Sequence, residues 1–245
     1  NSNVDRDLSS LVYSGLTKIN ENNEIIPDLA ERYEISEDGL IYNFYLREKV
    51  KFHNGKIVTA DDIVFTILKI QDPAIRSPKI SDWENITIEK VSDNQVKFIL
   101  EQVDPNFLEK TNVGILPKHL WQEAPTDAFS LNLYNIEPIG SGPYKINKIK
   151  RDNINIPTSY TLSSYNRYAL GKPLIDKITF KFTKNETELV EMFNKGDINS
   201  ISNISPTAIS KITKKETSYK ILESNLPRIF GIFINQTESP ALSID

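Results

Sequence analysis

Residues 40–47 read Leu40-Ile41-Tyr42-Asn43-Phe44-Tyr45-Leu46-Arg47. Leu40, Tyr42, Phe44 and Leu46 fall on one side of an extended chain, and Ile41, Asn43, Tyr45 and Arg47 on the other. This two-residue period is that of a half-buried strand. Glu37-Asp38-Gly39 before it forms a turn in which Gly39 is free to take positive φ. His53-Asn54-Gly55 after it is a second turn. Thr59-Ala60-Asp61-Asp62 then starts a helix: Thr59 caps, and Asp62 three residues on is a carboxylate variant of the capping box. Ile63, Val64, Ile67, Leu68 and Ile70 supply the apolar stripe of that helix.

The same alternation of strand and helix continues outward. Ile86–Val91 and Val96–Leu100 flank Ser92-Asp93-Asn94-Gln95, a hairpin with a four-residue polar turn. Asp104-Pro105 opens a short helix, and Leu116-Pro117-Lys118-His119 leads into another. Pro138-Ile139-Gly140-Ser141-Gly142-Pro143-Tyr144 is a stiff loop, because its prolines and glycines fit no regular element. Tyr144–Ile149 and Ser159–Ser163 read as paired strands around a polar stretch, and Ile175–Phe182 as a further strand. Asn185 to Lys195 is a helix with Asn185 as cap and Gly196 as stop. Ser205-Pro206 begins another, and Ile229–Asn235 is a final apolar strand. Interleaved strands and helices give an α/β class with mixed sheets.

The chain has 245 residues, 39% of them hydrophobic and 25% charged, enough apolar surface for a real core. Lys plus Arg is 29 and Asp plus Glu 33, a net charge of −4 without a basic block. That balance argues against nucleic acid and against an anionic membrane as partners. No run approaches the roughly 18 apolar residues of a membrane helix.

Cysteine is absent, which removes thiolate nucleophiles, disulfides and iron–sulfur clusters. The two histidines, His53 and His119, are too few and too far apart for a typical zinc site, and each reads as a surface or packing residue. Gly140-Ser141-Gly142 lacks the spacing of a nucleophile elbow, and Gly171-Lys172 lacks the upstream glycine of a phosphate-binding loop. Asp61 and Asp62 are explained by the helix N-terminus they occupy. No catalytic residue is assigned, no cofactor or metal is expected, and the chain is read as a binding protein, not an enzyme.

The stretch from Leu29 to Ile67 carries more than local structure. Its order is an acidic-Asp-Gly turn (Glu37-Asp38-Gly39), an aromatic-rich strand ending Leu46-Arg47, Val50-Lys51-Phe52-His53-Asn54-Gly55, and Thr59-Ala60-Asp61-Asp62. This closely resembles the signature of the family 5 extracellular solute-binding proteins, the oligopeptide, dipeptide and nickel receptors of ABC importers. Leu11-Val12-Tyr13-Ser14-Gly15-Leu16 is similar to a strand of that family. Leu116-Pro117-Lys118-His119 and Pro138 through Lys145 match two further motifs. Asn166-Arg167-Tyr168 with Gly171-Lys172-Pro173, and Gly196-Asp197-Ile198-Asn199, resemble two more, with Ala169 in place of a usual tryptophan and Asn199 in place of a usual acid.

The resemblance implies a type II periplasmic-binding-protein-like fold, of which this chain is the first lobe, with the extra subdomain of the large peptide-binding class. Residues 1–16 and 137–235 would form the core subdomain, 17–136 the extra subdomain, and 236–245 the start of a crossover to a missing second lobe. It further implies a monomeric, extracytoplasmic receptor that captures small peptides between lobes and delivers them to ABC permease subunits. A nickel chelate, heme or oligosaccharide is the alternative ligand, and a surface adhesion or signalling module the alternative class. The ligand-binding candidates in this lobe are Tyr13 and Gly15 on a strand ending at the cleft, the loop Gly140, Ser141 and Gly142, and Trp83, which serves either as an exposed aromatic or as core. Asn235 is the hinge candidate.

Overall fold

The computed structural model describes residues 3–215 and 218–222. The chain divides into two compact units, Asn1–Phe182 and Thr183–Asp245. The division falls within residues 137–235. The final strand Ile229–Asn235, the hinge candidate Asn235 and the crossover 236–245 lie outside the described residues.

The chain opens with helix α1 (Asn3–Val12), where the sequence reading places a strand at Leu11–Leu16. Leu8, Leu11 and Val12 stand at helical spacing and all join one apolar cluster, so helical periodicity prevails over a six-residue alternation. The Tyr13 N–H closes the last turn on the Ser9 carbonyl at 2.9 Å. Only beyond Gly15 does the chain extend, in β1 (Thr17–Ile19), paired antiparallel with β2 (Ile25–Pro27).

Strands β3 (Ala30–Ile35) and β4 (Ile41–Leu46) follow, joined by the expected turn at Gly39, whose φ is 71°. Helices α2 (Ala60–Gln71) and α3 (Ile80–Trp83) lead to β5 (Ile86–Ser92) and β6 (Gln95–Leu100). These four strands form an antiparallel sheet in the order β3-β4-β6-β5. Tyr42, Phe44 and Leu46 of β4 point into the core as their alternation requires. They meet Val96, Phe98 and Leu100 of β6 and Ile63 and Ile67 of α2. The Phe98 ring stands 5.6 Å from Phe44, 5.9 Å from Trp83 and 5.4 Å from Phe107. Each such pair adds about 0.5–1.5 kcal/mol to the burial term.

Three details of this half depart from the pattern. The hairpin turn has two residues, because Ser92 and Gln95 pair across it. Leu68 lies outside the α2 stripe at 53% exposed; it is rotated about 100° beyond Ile67, and Thr66 and Ala60 are buried instead. The short helix after Asp104 begins two residues later than its proline suggests.

That helix is α4 (Phe107–Lys110), followed by α5 (Lys118–Trp121) and tight helical turns across 126–135. Strands β7 (Tyr144–Arg151), β8 (Pro157–Ser164) and β9 (Lys177–Lys181) form a second antiparallel sheet. Its inner face presents Tyr144, Tyr160 and Leu162 to Val12 of α1, forming an apolar cluster separate from that of the four-stranded sheet. All strand pairings among the described residues are antiparallel, because the helices here connect strands without a parallel crossover.

The second unit contains α6 (Glu186–Lys195) and α7 (Pro206–Ile209). The Asn185 side chain accepts the Glu188 N–H at 3.0 Å, and Gly196 ends α6 with φ of 81°. Both terminal signals read from the sequence therefore act as cap and stop. Ser205 caps α7 in the same way, accepting the Ala208 N–H at 3.2 Å.

Candidate functional site

The end of α1 is threaded through a set of glycines. A Cβ on Gly140 would lie 2.0 Å from the Val12 carbonyl oxygen and 2.9 Å from the Tyr13 ring. On Gly142 it would lie 2.7 Å from the Leu11 oxygen, on Gly114 2.6 Å from the Tyr13 Cβ, and on Gly15 2.6 Å from the Asn112 backbone. Only hydrogen fits at these four positions. The Gly142 N–H donates to the Val12 carbonyl at 2.9 Å, and the Ile115 N–H to the Ser14 carbonyl at 2.9 Å.

His53 secures the loop from its other side. Its backbone N–H donates to the Gly140 carbonyl at 2.8 Å. Its ring pairs with the Gly142 carbonyl at Nε2, 3.0 Å away, while Nδ1 receives the Gly140 N–H at 3.4 Å. A donor facing Nδ1 fixes the neutral ring with its proton on Nε2. Burial holds the imidazole down at about 4, against a weaker opposing effect of the Gly142 hydrogen bond. Tyr165 stacks edge-on at 4.8 Å and donates its hydroxyl to the Phe52 carbonyl at 3.0 Å.

Beneath the loop lies a buried polar group. Ser14 donates to the Ser141 carbonyl at 3.5 Å, and Ser141 itself is wholly buried, its Oγ without a hydrogen-bond partner among the described residues. Asp28 is 3% exposed. Burial pushes its carboxyl up to about 6, outweighing the hydrogen bonds from Ser14 and Tyr168 and the charges of Lys18 and Arg47. Burial and the neighbouring Asp28 charge likewise raise the Tyr168 phenol. Arg47 Nε donates to the Asp28 carbonyl at 2.8 Å.

A cavity of about 660 Å³ opens beside this junction, lined by Leu8 and Val12 of α1, by Tyr13, Tyr134 and Tyr160, and by Pro138. It is mainly apolar with phenolic rims, the lining of a small-molecule pocket. Tyr13 is half-buried, and burial raises its hydroxyl far above the ordinary tyrosine value. The geometry can hold an amphipathic group and offer it phenols and backbone. It places no activated nucleophile, because His53 is committed to backbone on both ring nitrogens.

The sequence-derived candidates therefore separate. Tyr13 lines the cavity. Gly140 is buried against Val12 and the Tyr13 ring, Gly142 against Leu11 and Val12, Gly15 against Asn112, and Ser141 beside Ser14. Trp83 is elsewhere: at 1% exposed it fills the core of the four-stranded sheet, so it is not a ligand-facing aromatic. Sequence reasoning missed Asp28, Gly114, Tyr134 and Tyr160, and read His53 as an ordinary surface or packing residue. The one available signal was Asp28 set between Ile25-Ile26-Pro27 and Leu29-Ala30, an acid within a short apolar run.

The antiparallel α/β architecture with two cores and a tyrosine-lined cavity is that of a type II periplasmic-binding-protein lobe. The chain belongs to the bacterial extracellular solute-binding proteins, family 5 (middle), whose sequence model matches residues 24–243. It is 32% identical over 220 residues to the oligopeptide-binding protein AppA of Bacillus subtilis, covering 88% of this chain and 39% of that protein. The structure of AppA from Bacillus subtilis in complex with a nonapeptide superposes with a TM-score of 0.74 at 32% identity, over 81% of this chain and 39% of that one. NikZ from Campylobacter jejuni, solved with Ni(L-His), gives a TM-score of 0.69 at 32% identity over 77% of this chain and 37% of that one. The chain thus spans about two-fifths of the length of the AppA relative it matches.

Proposed function

We propose that this chain is the first lobe of the substrate-binding component of an ABC importer. In this reading it captures extracytoplasmic peptides against the Tyr13 cavity and presents them, once a second lobe closes, to permease subunits in the membrane. Residues 17–136 serve as the extra subdomain, and 1–16 with 137–235 as the core subdomain that carries the ligand wall. The observation that carries the reading is the likeness, over four-fifths of the chain, to a receptor solved around a nonapeptide. The cavity supports it, since a tyrosine-lined apolar pocket accepts varied side chains while peptide backbone is held through main-chain hydrogen bonds. The role is binding, not turnover.

The likeness to NikZ supports a second reading, a metal-chelate receptor. His53 is held by the glycine loop and His119 Nε2 faces the Asn54 amide at 2.9 Å. A chelate would therefore have to bring its own metal ligands to this lobe.

Native mass spectrometry of the full-length gene product, with the 245-residue chain as control, tests both readings. A ladder of co-purifying masses matching short peptides, absent from the 245-residue chain and weakened by Tyr13→Ala, is the expected result. A single discrete adduct favours the chelate. A full-length protein that carries no mass and binds no added peptide overturns the peptide reading.

A further inference from the structure

The outer face of the three-stranded sheet is chemically uniform. Across the strands, Lys145 stands opposite Ser163, which stands opposite Lys177. One step along, Lys148 faces Thr161, which faces Thr179, and their two threonine hydroxyls meet at 3.3 Å. In the next row Lys150 faces Ser159, which faces Lys181. A bulge at Asn147 brings Lys148 onto this face, because the register shifts between Ile146 and Lys148. Three exposed lysines on β7, and Lys177 and Lys181 on β9 with Thr179 between them, thus flank a central column of short hydroxyl side chains, with no acid in the array. Its extent is about 10 Å across the strands and about 14 Å along them.

Among the described residues no carboxylate forms an ion pair with Lys145, Lys148, Lys150 or Lys177. The neighbouring acids are engaged at the edges, Glu137 with Arg151 and Asp176 with Lys172. Net composition conceals the patch: the chain carries −4 overall, and these lysines are scattered through two strands that only the ladder register brings together.

We propose that this face is a docking surface for a plane of anionic lipid headgroups. Three features favour lipid over an acidic protein. The positive charges are all lysine, mobile point charges suited to diffuse attraction and not to the forked geometry by which arginine reads a fixed carboxylate. The array positions themselves carry no aromatic or large apolar side chain to act as an anchor in a protein interface; the exposed Leu174 and Ile175 precede the β9 positions in the chain. The central column holds only short Ser and Thr side chains, so the longer lysine side chains on both sides reach beyond it. The inference is independent of which solute the cavity holds.

Co-sedimentation of the 245-residue chain with vesicles of equimolar phosphatidylglycerol and phosphatidylcholine tests it. The chain is expected to sediment with these vesicles in roughly 0.05 M salt, to be released at roughly 0.5 M, and to ignore pure phosphatidylcholine. Combining Lys148→Gln, Lys150→Gln and Lys177→Gln should lower partitioning about tenfold or more, with unchanged thermal unfolding. The exposed lysines of another surface, changed as Lys49→Gln, Lys56→Gln and Lys79→Gln, should leave it nearly intact. Equal loss in both triple variants, or no sedimentation at low salt, overturns the proposal. Capture of polyglutamate without capture of vesicles would also overturn it, in favour of an acidic protein partner.

Discussion

Gly140 lies so close beneath Val12 that a Cβ on it would sit 2.0 Å from the Val12 carbonyl oxygen. The contact joins the end of the first helix to a loop nearly 130 residues away, and both atoms concerned are backbone. Neither side can yield by rotating a side chain.

Gly140→Ala should therefore cost about 3 kcal/mol or more, since relief requires moving main chain. Gly55 is the control: its φ is 89° but nothing lies within 4 Å of its added Cβ, so Gly55→Ala should cost about 1 kcal/mol. Urea unfolding midpoints of the two variants measure the difference. Equal losses would show that the glycine loop is not held against α1.

His53 makes stability depend on pH in the acid range. The unfolded ring takes its proton near 6.5 and the folded ring only near 4. Stability is thus fully present above 6.5, declines as pH falls toward 4, and levels off below, by about 3 kcal/mol in all. His53→Gln, which keeps one amide donor, should flatten this part of the curve. An unchanged slope of unfolding midpoint against pH would exclude the latch.

Asp28 acts with the opposite sign. Its carboxyl ionises near 3.8 when unfolded and near 6 when folded, so its contribution is full at low pH and is lost as pH rises through 6. Relative to the wild type, Asp28→Asn should gain about 3 kcal/mol between pH 4 and pH 6 and stay level above that. Chemical denaturation at several pH values reads this directly. A wild-type-minus-variant difference that is flat across the range would contradict the buried neutral carboxyl.

Trp83→Ala should destabilise the chain by about 4 kcal/mol, because the ring is surrounded by Phe98 and Phe107 and leaves a large void. In the full-length protein its effect on ligand binding, measured below the unfolding transition, should be negligible, whereas Tyr13→Ala should weaken binding. Reversed sensitivities would return Trp83 to the ligand wall.

The elements that were legible in the sequence are those whose signals are local. β4 follows from strict alternation, α2 from Thr59 and Asp62, where the Thr59 N–H reaches the Asp62 carboxylate at 2.9 Å, and α6 from Asn185 and Gly196. Leu11–Leu16 failed because six residues are too few to separate a strand from a helix end. Leu68 failed because one extra apolar residue widened the apparent stripe. Within the site, Tyr13 and the glycine loop could be nominated by motif, but their division of labour could not. Whether a glycine faces ligand or faces Val12 is decided by a partner far away in sequence. The same holds for His53 and Asp28, whose altered protonation arises from burial that no neighbouring residue encodes.

The pairing of Ser14 with Ser141, 127 residues apart, also orders events during synthesis. At roughly 5–20 residues per second, the end of α1 waits on the order of ten seconds for the loop that must enclose it. During that interval the intervening strands β3 to β6, whose contacts are nearer in sequence, can already assemble their own core. The end of α1 is therefore locked well after it is made, and only when the glycine loop leaves the ribosome.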